Sequence, residues 1–470
     1  MEKKVFVFCI GGTGLRVMKS IIMLMAAGAD TNGYTVIPII MDPHMSLEEK
    51  KELQIRIDNY ISIYRASITH SDQTEAPLKG FFGAEMKKLK DLNNEKNDQN
   101  ELGGKHETFG EFLGKGKIQD SDINRYFIET LFSEKSLDSS LDVGFKGNPN
   151  VGTVVLGDMI EGADWFDAFK RHCGQDDRVF IISSIFGGTG ASGYPLLEKK
   201  IKNIKDNDCV KNCLMGALTV LPYFDLEDPA ATGSDIDSKN FITKAKSALS
   251  YYENTVASDY LYYIGEKSKN VHYENNEEEQ KDRAHFIELV GATALFDFLT
   301  KDKPDKRQYL SRAIKEDSDT MTLASLGEPY SGVVKNVADF MLLNKLIEIL
   351  PEEKWFPLKH KSERGFDNGF YNSYGFRKLK EFSHDFVRWY GELATNRRAF
   401  APLNTDSSKS WEEWVKGNSL EAKDETWYLL KMIEVSQAEK DEHHENKFRY
   451  FLKFAYEAID FYTNKILKKN

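Results

Sequence analysis

A glycine-rich segment directly behind a short apolar run constrains the fold of this chain most strongly. Residues 179–182 are apolar without interruption, residues 183–193 contain four glycines, and a helical pattern begins at Tyr194. This order predicts a strand, a loop and a helix. Glycines let consecutive main-chain N–H groups approach an anion closely, and the start of the following helix adds a partial positive charge. The segment is therefore typical of a phosphate-binding turn.

Another glycine turn follows an apolar run at the start of the chain. Residues 5–10 are apolar, Gly11-Gly12-Thr13-Gly14 comes next, and a helical pattern begins there. Residues 34–41 form another largely apolar run, which ends before Asp42. Strands of this kind are typical of parallel sheets that are covered on both faces. We therefore predict an α/β fold with a Rossmann-like, doubly wound parallel sheet and a ligand at the carboxyl ends of its strands.

The pattern of apolar residues changes near residue 303 and predicts more than one domain. A chain of 470 residues exceeds what one hydrophobic core usually supports. We predict an α/β domain over 1–280 with a polar insertion at about 46–119, a helix over 281–303, and a mainly helical C-terminal domain over 304–470. Further strands are predicted at 214–221, 259–264 and 320–326. Helical patterns occur at 122–132, 166–171, 239–252, 283–300, 333–350, 378–393, 411–415 and 448–467.

Composition excludes several classes of protein. The formal net charge of −11 argues against a broad basic surface for nucleic acid. Four cysteines are too few for a disulfide framework, and no histidine or second cysteine pair completes a zinc site beside Cys209 and Cys213. The longest apolar stretch, 21–29, is too short to span a membrane, and no cleavable signal peptide precedes the first strand. We predict a cytoplasmic protein that has no membrane span and no direct contact with nucleic acid.

The chain lacks the P-loop motif Gly-x-x-x-x-Gly-Lys-Ser/Thr, and with it the usual phosphate-binding lysine. A further glycine loop, Gly144-Phe145-Lys146-Gly147-Asn148-Pro149, lies between these two turns in the sequence. The charge of a phosphate group would then be met by main-chain N–H groups of three loops, by helix dipoles, by a hydrated Mg²⁺ ion and by hydroxyl groups. The candidate hydroxyls belong to Thr13, Thr189 and Ser192.

The three loops and their order resemble those of the tubulin/FtsZ superfamily. The segment from Phe186 to Gly193 is similar to the family signature Gly-Gly-Gly-Thr-Gly-Ser/Thr-Gly, with Phe186 in place of the first glycine and Ala191 as an insertion. Residues 144–149 resemble the FtsZ loop Gly-Ala-Gly-Ala/Gly-Asn-Pro, which wraps the γ-phosphate. Because this loop is closer to FtsZ than to eukaryotic tubulin, we expect a divergent prokaryotic member. The resemblance covers roughly the first 300 residues.

The resemblance implies GTP or GDP, with Mg²⁺, as the ligand of a nucleotide-binding domain over 1–280. It makes 281–303 the central helix and places Asp42 where the family carries an acid near the phosphates and magnesium. It implies a ribose contact by Glu227, with Asp225 as the competing residue, and base contacts by Glu266 and His285. The implied phosphate contacts are Gly11, Gly12, Thr13, Gly14, Asp42, Gly144, Gly147, Asn148, Pro149, Gly187, Gly188, Thr189, Gly190, Ala191, Ser192 and Gly193.

The resemblance further implies head-to-tail assembly into filaments under the control of bound GTP. In tubulins and FtsZ, a loop after the central helix supplies acids to the neighbouring subunit for hydrolysis. No Asn-x-Asp-x-x-Asp/Glu sequence follows Thr300 here, and the acids nearby are typical of a solvated surface. These acids are Glu316, Asp317, Asp319 and Glu328. GTP hydrolysis is therefore left open, and no catalytic residue is assigned.

Two other functions fit parts of the sequence. The missing acidic loop also suits a nucleotide-sensing switch that does not polymerise and binds a protein partner through its helical C-terminal domain. The turn at 11–14 together with Asp42 also suits an NAD-type oxidoreductase, because an acid closes the second strand of a dinucleotide-binding fold. That third function leaves the loops at 144–149 and 187–193 without a role.

Overall fold

A sheet of six parallel strands is the centre of the protein in a computed structural model of the chain. The strands are β1 (Lys3–Ile10), β2 (Tyr34–Met41), β3 (Arg178–Ser184), β4 (Leu214–Val220), β5 (Asp225–Leu226), β6 (Tyr260–Gly265), β7 (His272–Tyr273), β8 (Gln308–Ala313), β9 (Thr320–Met321) and β10 (Ala399–Phe400). The central sheet has the order β2-β1-β3-β4-β6-β8, and the two-residue strands pair as β5 with β7 and β9 with β10. The predicted α/β class with a parallel sheet is confirmed.

Helices connect the strands and follow the last of them. The α-helices are α1 (Gly11–Ala26), α2 (Glu48–Ala66), α3 (Phe109–Phe112), α4 (Ile123–Leu131), α5 (Glu134–Leu137), α6 (Pro149–Ile160), α7 (Asp164–His172), α8 (Gly188–Lys202), α9 (Asp208–Asn212), α10 (Phe241–Thr255), α11 (Phe286–Leu299), α12 (Ser331–Ile349), α13 (Asn368–Tyr371), α14 (Tyr374–Thr395) and α15 (Lys447–Leu467). The structure describes residues 2–44, 48–68, 78–92, 105–119, 122–142, 144–145, 147–226, 238–266, 272–273, 284–313, 320–321, 331–351, 366–396, 399–404, 416 and 446–467. Within these ranges, no helix combines the length and the apolar character needed to cross a bilayer.

The strand order reverses between β1 and β3. From β1 the chain goes to β2 on one side of it, and then returns across β1 to β3 on the other side. The loops that leave β1 and β3 are therefore neighbours at the carboxyl edge of the sheet. In open α/β sheets this reversal is the usual position of a ligand crevice.

Helices cover both faces of the sheet. The ring of Phe298 in α11 lies 5.3 Å from the ring of Phe180 in β3, which pairs with Val7 of β1. Gly193 of α8 packs against Ile10 of β1. Since side chains alternate between the faces of a strand, Ile10 points away from the face of Val7. Strands that are buried on both sides explain the unbroken apolar runs in the sequence.

The expected polar insertion at 46–119 does not hold over residues 48–66. Here the chain forms α2, which buries Leu53, Ile57 and Tyr60. These residues lie three or four positions apart on one helical face, and the many charged residues between them obscured that pattern. Residues 93–104 of the predicted insertion lie outside the described residues.

The strand β8 enters the central sheet beside β6, although the predicted boundary at 303/304 had grouped it with the helical C-terminal part. Its sequence, Gln-Tyr-Leu-Ser-Arg-Ala, contains no apolar run, because it is the outermost strand and its described side chains are largely exposed. An edge strand therefore carries a weak signal of burial.

The C-terminal helices pack on the α/β part and share its hydrophobic core. The ring of Phe340 in α12 lies 5.7 Å from that of Phe81, and the ring of Phe382 in α14 lies 6.5 Å from that of Tyr60 in α2. The helices predicted at 333–350, 378–393 and 448–467 are confirmed as α12, α14 and α15. Residues 411–415 and most of the predicted strand 320–326 lie outside the described residues.

Candidate functional site

Numbered in chain order, the first (11–14) and third (187–193) glycine loops meet at the carboxyl edge of the sheet. A Cβ atom placed on Gly11 would lie 3.3 Å from the Cβ of Thr189 and 3.4 Å from the main-chain nitrogen of Gly190. Gly11 also has a left-handed φ of 69°, which a side chain would strain. The turn therefore needs glycine for its conformation and for the close approach of the other loop.

The second glycine loop joins them from the other side. A Cβ atom on Gly188 would lie 3.1 Å from the main-chain nitrogens of both Gly147 and Asn148. On the same loop, a Cβ atom on Gly144 would lie 3.8 Å from the hydroxyl of Thr189. The threonine is thus flanked by the first and second loops. The described residues of all three loops form one rim, which we call the glycine rim (11–14, 144–145, 147–149 and 187–193).

Two helices begin at the glycine rim without a side-chain cap. The first helical residues of α1 and α8 are Gly11 and Gly188, and the preceding residues Ile10 and Gly187 make no capping hydrogen bond. Neither helix has an acidic residue in its first turn. The first N–H groups of a helix have no partner within it, and the helix dipole makes this end positive. Two such ends side by side favour an anion.

The start of α6 differs, because its cap is supplied by the protein. The side-chain oxygen of Asn148 accepts hydrogen bonds from the main-chain nitrogens of Asn150 at 3.1 Å and Val151 at 3.4 Å. Its amide nitrogen donates to the hydroxyl of Ser136 at 3.1 Å. Pro149 occupies the first helical position, where a missing N–H costs nothing. The Asn-Pro pair of the predicted site therefore builds the helix start.

The predicted contacts at the end of the third loop have packing roles. The hydroxyl of Ser192 donates to the carbonyl of Gly188 at 2.7 Å, inside α8. The carbonyl of Ala191 accepts from the hydroxyl of Tyr252 in α10 at 3.0 Å. A Cβ on Gly193 would lie 2.7 Å from Ile10. These residues fix α8 against the sheet and against its neighbours.

Asp42 lies beside the first glycine loop. The preceding residue, Met41, pairs with Ile10, which precedes Gly11. The carboxylate is buried and accepts a hydrogen bond from the main-chain nitrogen of His44 at 2.9 Å. Burial raises the pKa of Asp42, while that hydrogen bond and the positive charges of neighbouring basic residues act in the opposite direction.

A buried ion pair that the sequence analysis did not predict links α1 to α11. The Nε of Arg16 donates to Oε1 of Glu288 at 2.9 Å, and the hydroxyl of Tyr223 donates to the same oxygen at 2.8 Å. Burial raises the pKa of Glu288, whereas the charge of Arg16 lowers it. Arginine within the otherwise apolar stretch 15–18 was the available signal, since a charge is rarely buried without a partner.

The predicted base-binding residues lie at the same edge of the sheet. His285 is the N-cap of α11, where its Nδ1 accepts from the main-chain nitrogen of Ile287 at 3.0 Å, so the helix begins three residues after the predicted start at 283. Its ring lies 4.9 Å from that of Tyr223. Glu266 directly follows β6 and is half-buried. Their roles toward a base stay predictions.

Of the two predicted ribose contacts, Asp225 lies within the described residues and Glu227 does not. Asp225 is the first residue of β5, which pairs with β7. It follows Phe224, whose ring lies 5.6 Å from that of Phe186 at the start of the third glycine loop. Glu227 and the acids considered for hydrolysis, Glu316, Asp317, Asp319 and Glu328, lie outside the described residues.

Neither a known protein-family model nor a curated protein sequence matches this chain. The resemblance to the tubulin/FtsZ superfamily therefore stays a prediction from the loop motifs. Among the described residues, no three His, Cys, Asp or Glu side chains are grouped as ligands for a metal ion. The glycine rim is thus a site of main-chain donors, and Asp42 lies beside its first loop.

Proposed function

We propose that the protein binds GTP or GDP at the glycine rim and that the bound nucleotide controls head-to-tail assembly into filaments. The observation that carries the binding proposal is the pair of uncapped helix starts, those of α1 and α8, side by side where the strand order reverses. Each end contributes roughly half a positive charge and several main-chain N–H donors. A phosphate chain satisfies these donors, to which neither N-cap residue, Ile10 nor Gly187, provides a side-chain hydrogen bond.

Mg²⁺ fits this proposal through Asp42. The ion usually takes one or two carboxylates from a protein and its other ligands from phosphates and water. The carboxylate of Asp42 adjoins the first glycine loop and has Arg16 and Lys50 near it. When bound, the ion would neutralise phosphate charge. The chain's own groups orient the phosphates through the N–H donors of the glycine rim.

The assembly proposal depends on the resemblance and on the position of the glycine rim. The rim is at one edge of the sheet, and in a head-to-tail assembly a second copy covers it with a different surface of its own. Contacts between two unlike surfaces produce open filaments when they do not close into a ring. GTP hydrolysis is an extension of this proposal, in which an acid of the next subunit positions the attacking water.

A negative charge at the start of α8 tests nucleotide binding. Thr189→Asp places a carboxylate in the first turn of α8. There its negative charge interacts favourably with the positive end of the helix dipole and repels a phosphate. We expect a loss of GTP affinity of at least about tenfold, measured by titration calorimetry, with thermal stability kept. Asn124→Asp is the matched control, since it puts the same charge at the second position of α4, a helix already capped by Asp122.

Calorimetry of the wild-type protein with GTP, GDP and NAD separates the proposed ligand from the dinucleotide alternative. Uptake of NAD in preference to both guanine nucleotides would support an oxidoreductase and contradict our proposal. Equal GTP affinity of the wild-type protein and Thr189→Asp would show that the nucleotide does not bind at the glycine rim.

A further inference from the structure

The helix α10 contacts two of the three glycine loops. Its first residue, Phe241, places its ring 4.8 Å from that of Phe186, directly before the third loop. Near its other end, the hydroxyl of Tyr252 bonds to the carbonyl of Ala191 in α8. Between them, the Nζ of Lys244 donates to the carbonyl of Gly147 at 2.7 Å. The helix thus holds a cation against the second glycine loop.

Neighbouring residues restrict the position of the Lys244 ammonium group. The loop to which it bonds touches the start of α8, because the main-chain nitrogen of Gly147 lies 3.1 Å from the Cβ position of Gly188. The side chain of Lys244 is half-buried, which limits its rotamers. A positive charge is therefore held near the start of α8, one of the two helix starts that favour an anion.

We infer that Lys244 is a phosphate-binding residue that supplies the cation which a P-loop lysine supplies in other folds. This inference rests on the proposed binding of a nucleotide at the glycine rim. Lys244 has a further interaction besides its bond to the carbonyl of Gly147, and an ammonium group with three N–H donors can contact several acceptors at once, a phosphate oxygen among them. A fixed point charge attracts a phosphate chain more strongly as the chain carries more charge. Lys244 therefore makes the site selective for longer phosphate chains.

The test compares the affinities of Lys244→Met and the wild-type protein for GMP, GDP and GTP by titration calorimetry. We expect the loss in Lys244→Met to grow with the number of phosphates and to reach about tenfold or more for GTP. Lys244→Arg should recover most of the affinity, since it keeps the charge. Lys246→Met is the matched control, because this lysine lies on the same helix and is exposed.

The dependence of the affinity loss on the number of phosphates shows whether Lys244 acts through its charge or only supports the second glycine loop. A lysine that only held the loop in place would lower the affinities for all three nucleotides by the same factor, and this result would overturn the inference. Unchanged GTP affinity in Lys244→Met would overturn it as well, while nucleotide binding itself would stand. If the wild-type protein binds none of the three nucleotides, the proposed function falls together with the inference.

A second measurement examines the salt dependence of GTP binding. A charge–charge contact weakens as the ionic strength rises. We expect the GTP affinity of the wild-type protein to fall more steeply with salt than that of Lys244→Met. Parallel salt dependences would contradict a direct contact between the ammonium group and phosphate.

Discussion

Gly14 lies where the first turn of α1 passes over the end of β1. A Cβ atom at this position would lie 2.8 Å from the carbonyl carbon of Cys9 and 3.0 Å from the carbonyl oxygen of Ile182. Both are main-chain atoms, so neither can rotate away. We expect Gly14→Ala to lower the free energy of unfolding by about 1–3 kcal/mol in urea denaturation, because α1 must shift from the sheet.

Gly157 provides the matched comparison for that substitution. It lies within α6, and a Cβ atom there meets no other atom within 4 Å. We expect Gly157→Ala to raise the free energy of unfolding by roughly 0.5–1 kcal/mol, since alanine loses less main-chain entropy in a helix. If both substitutions have the same effect, close packing at Gly14 does not explain the need for glycine.

Asp339 makes stability depend on pH. This carboxyl group of α12 is buried and pairs with Lys335, which also pairs with Asp460 of α15 at 2.7 Å. Burial raises its pKa from 3.8 to about 6, against the charge of Lys335. The native state thus binds this proton more tightly than the unfolded chain, so the group's contribution to stability falls as the pH rises between these two values.

The substitution Asp339→Asn should remove the loss of stability that the ionisation of Asp339 causes as the pH rises. We expect the free energy of unfolding of the variant to increase relative to wild type between pH 4 and pH 7, by up to about 3 kcal/mol. Glu348→Gln should show the opposite trend, because hydrogen bonds from His384 and Lys380 outweigh burial and lower the pKa of Glu348. Chemical denaturation at several pH values checks both, and a flat difference for Asp339→Asn would contradict the assignment.

At the scale of elements, the ion pair between Arg16 and Glu288 joins α1 to α11. Both side chains are buried, with exposed fractions of 7% and 1%. We expect Arg16→Met to lower the free energy of unfolding by about 3–5 kcal/mol, because it leaves a buried carboxylate without its cation. The double variant Arg16→Met, Glu288→Gln should recover part of this loss in urea denaturation.

The double variant decides whether the pair acts as a unit. Residues in direct contact show a coupling energy, so the two single losses should not add. Strict additivity would mean that Arg16 stabilises the protein through its other contacts. One of these is with Glu49 of α2, whose oxygen lies 3.4 Å from the guanidinium group.

The elements that could be predicted have strong local signals, and those that were missed have weak ones. The helices α12, α14 and α15 repeat apolar residues over many turns, so their periodicity was clear. The helix α2 carries its buried residues among many charges, and β8 is an edge strand with a polar sequence. Their places in the fold depend on which neighbours cover them.

At the scale of the whole molecule, the proposed assembly predicts that GTP changes the size of the particles in solution. We expect light scattering and electron microscopy to detect filaments with GTP and fewer with GDP, because in the proposed assembly the γ-phosphate would lie in the contact between subunits. Thr189→Asp, which we expect to bind GTP more weakly, is the control and should form fewer filaments at the same GTP concentration. An unchanged small oligomer with every nucleotide, in a protein that does bind GTP, would support the non-polymerising switch instead.

Local pattern was sufficient for the first five of the six strands of the sheet, for the glycine turns and for the α/β class, because buried strands and tight turns restrict residue types at neighbouring positions. The order of the strands, the meeting of 11–14, 144–149 and 187–193, and the contact of Lys244 with Gly147 join residues far apart in the chain. These residues come into contact only when the sheet is assembled, and a local periodicity in the sequence does not predict such a contact. The sequence thus predicts the candidate site as three separate loops. Only the packing of the folded sheet and helices brings these loops together as one rim.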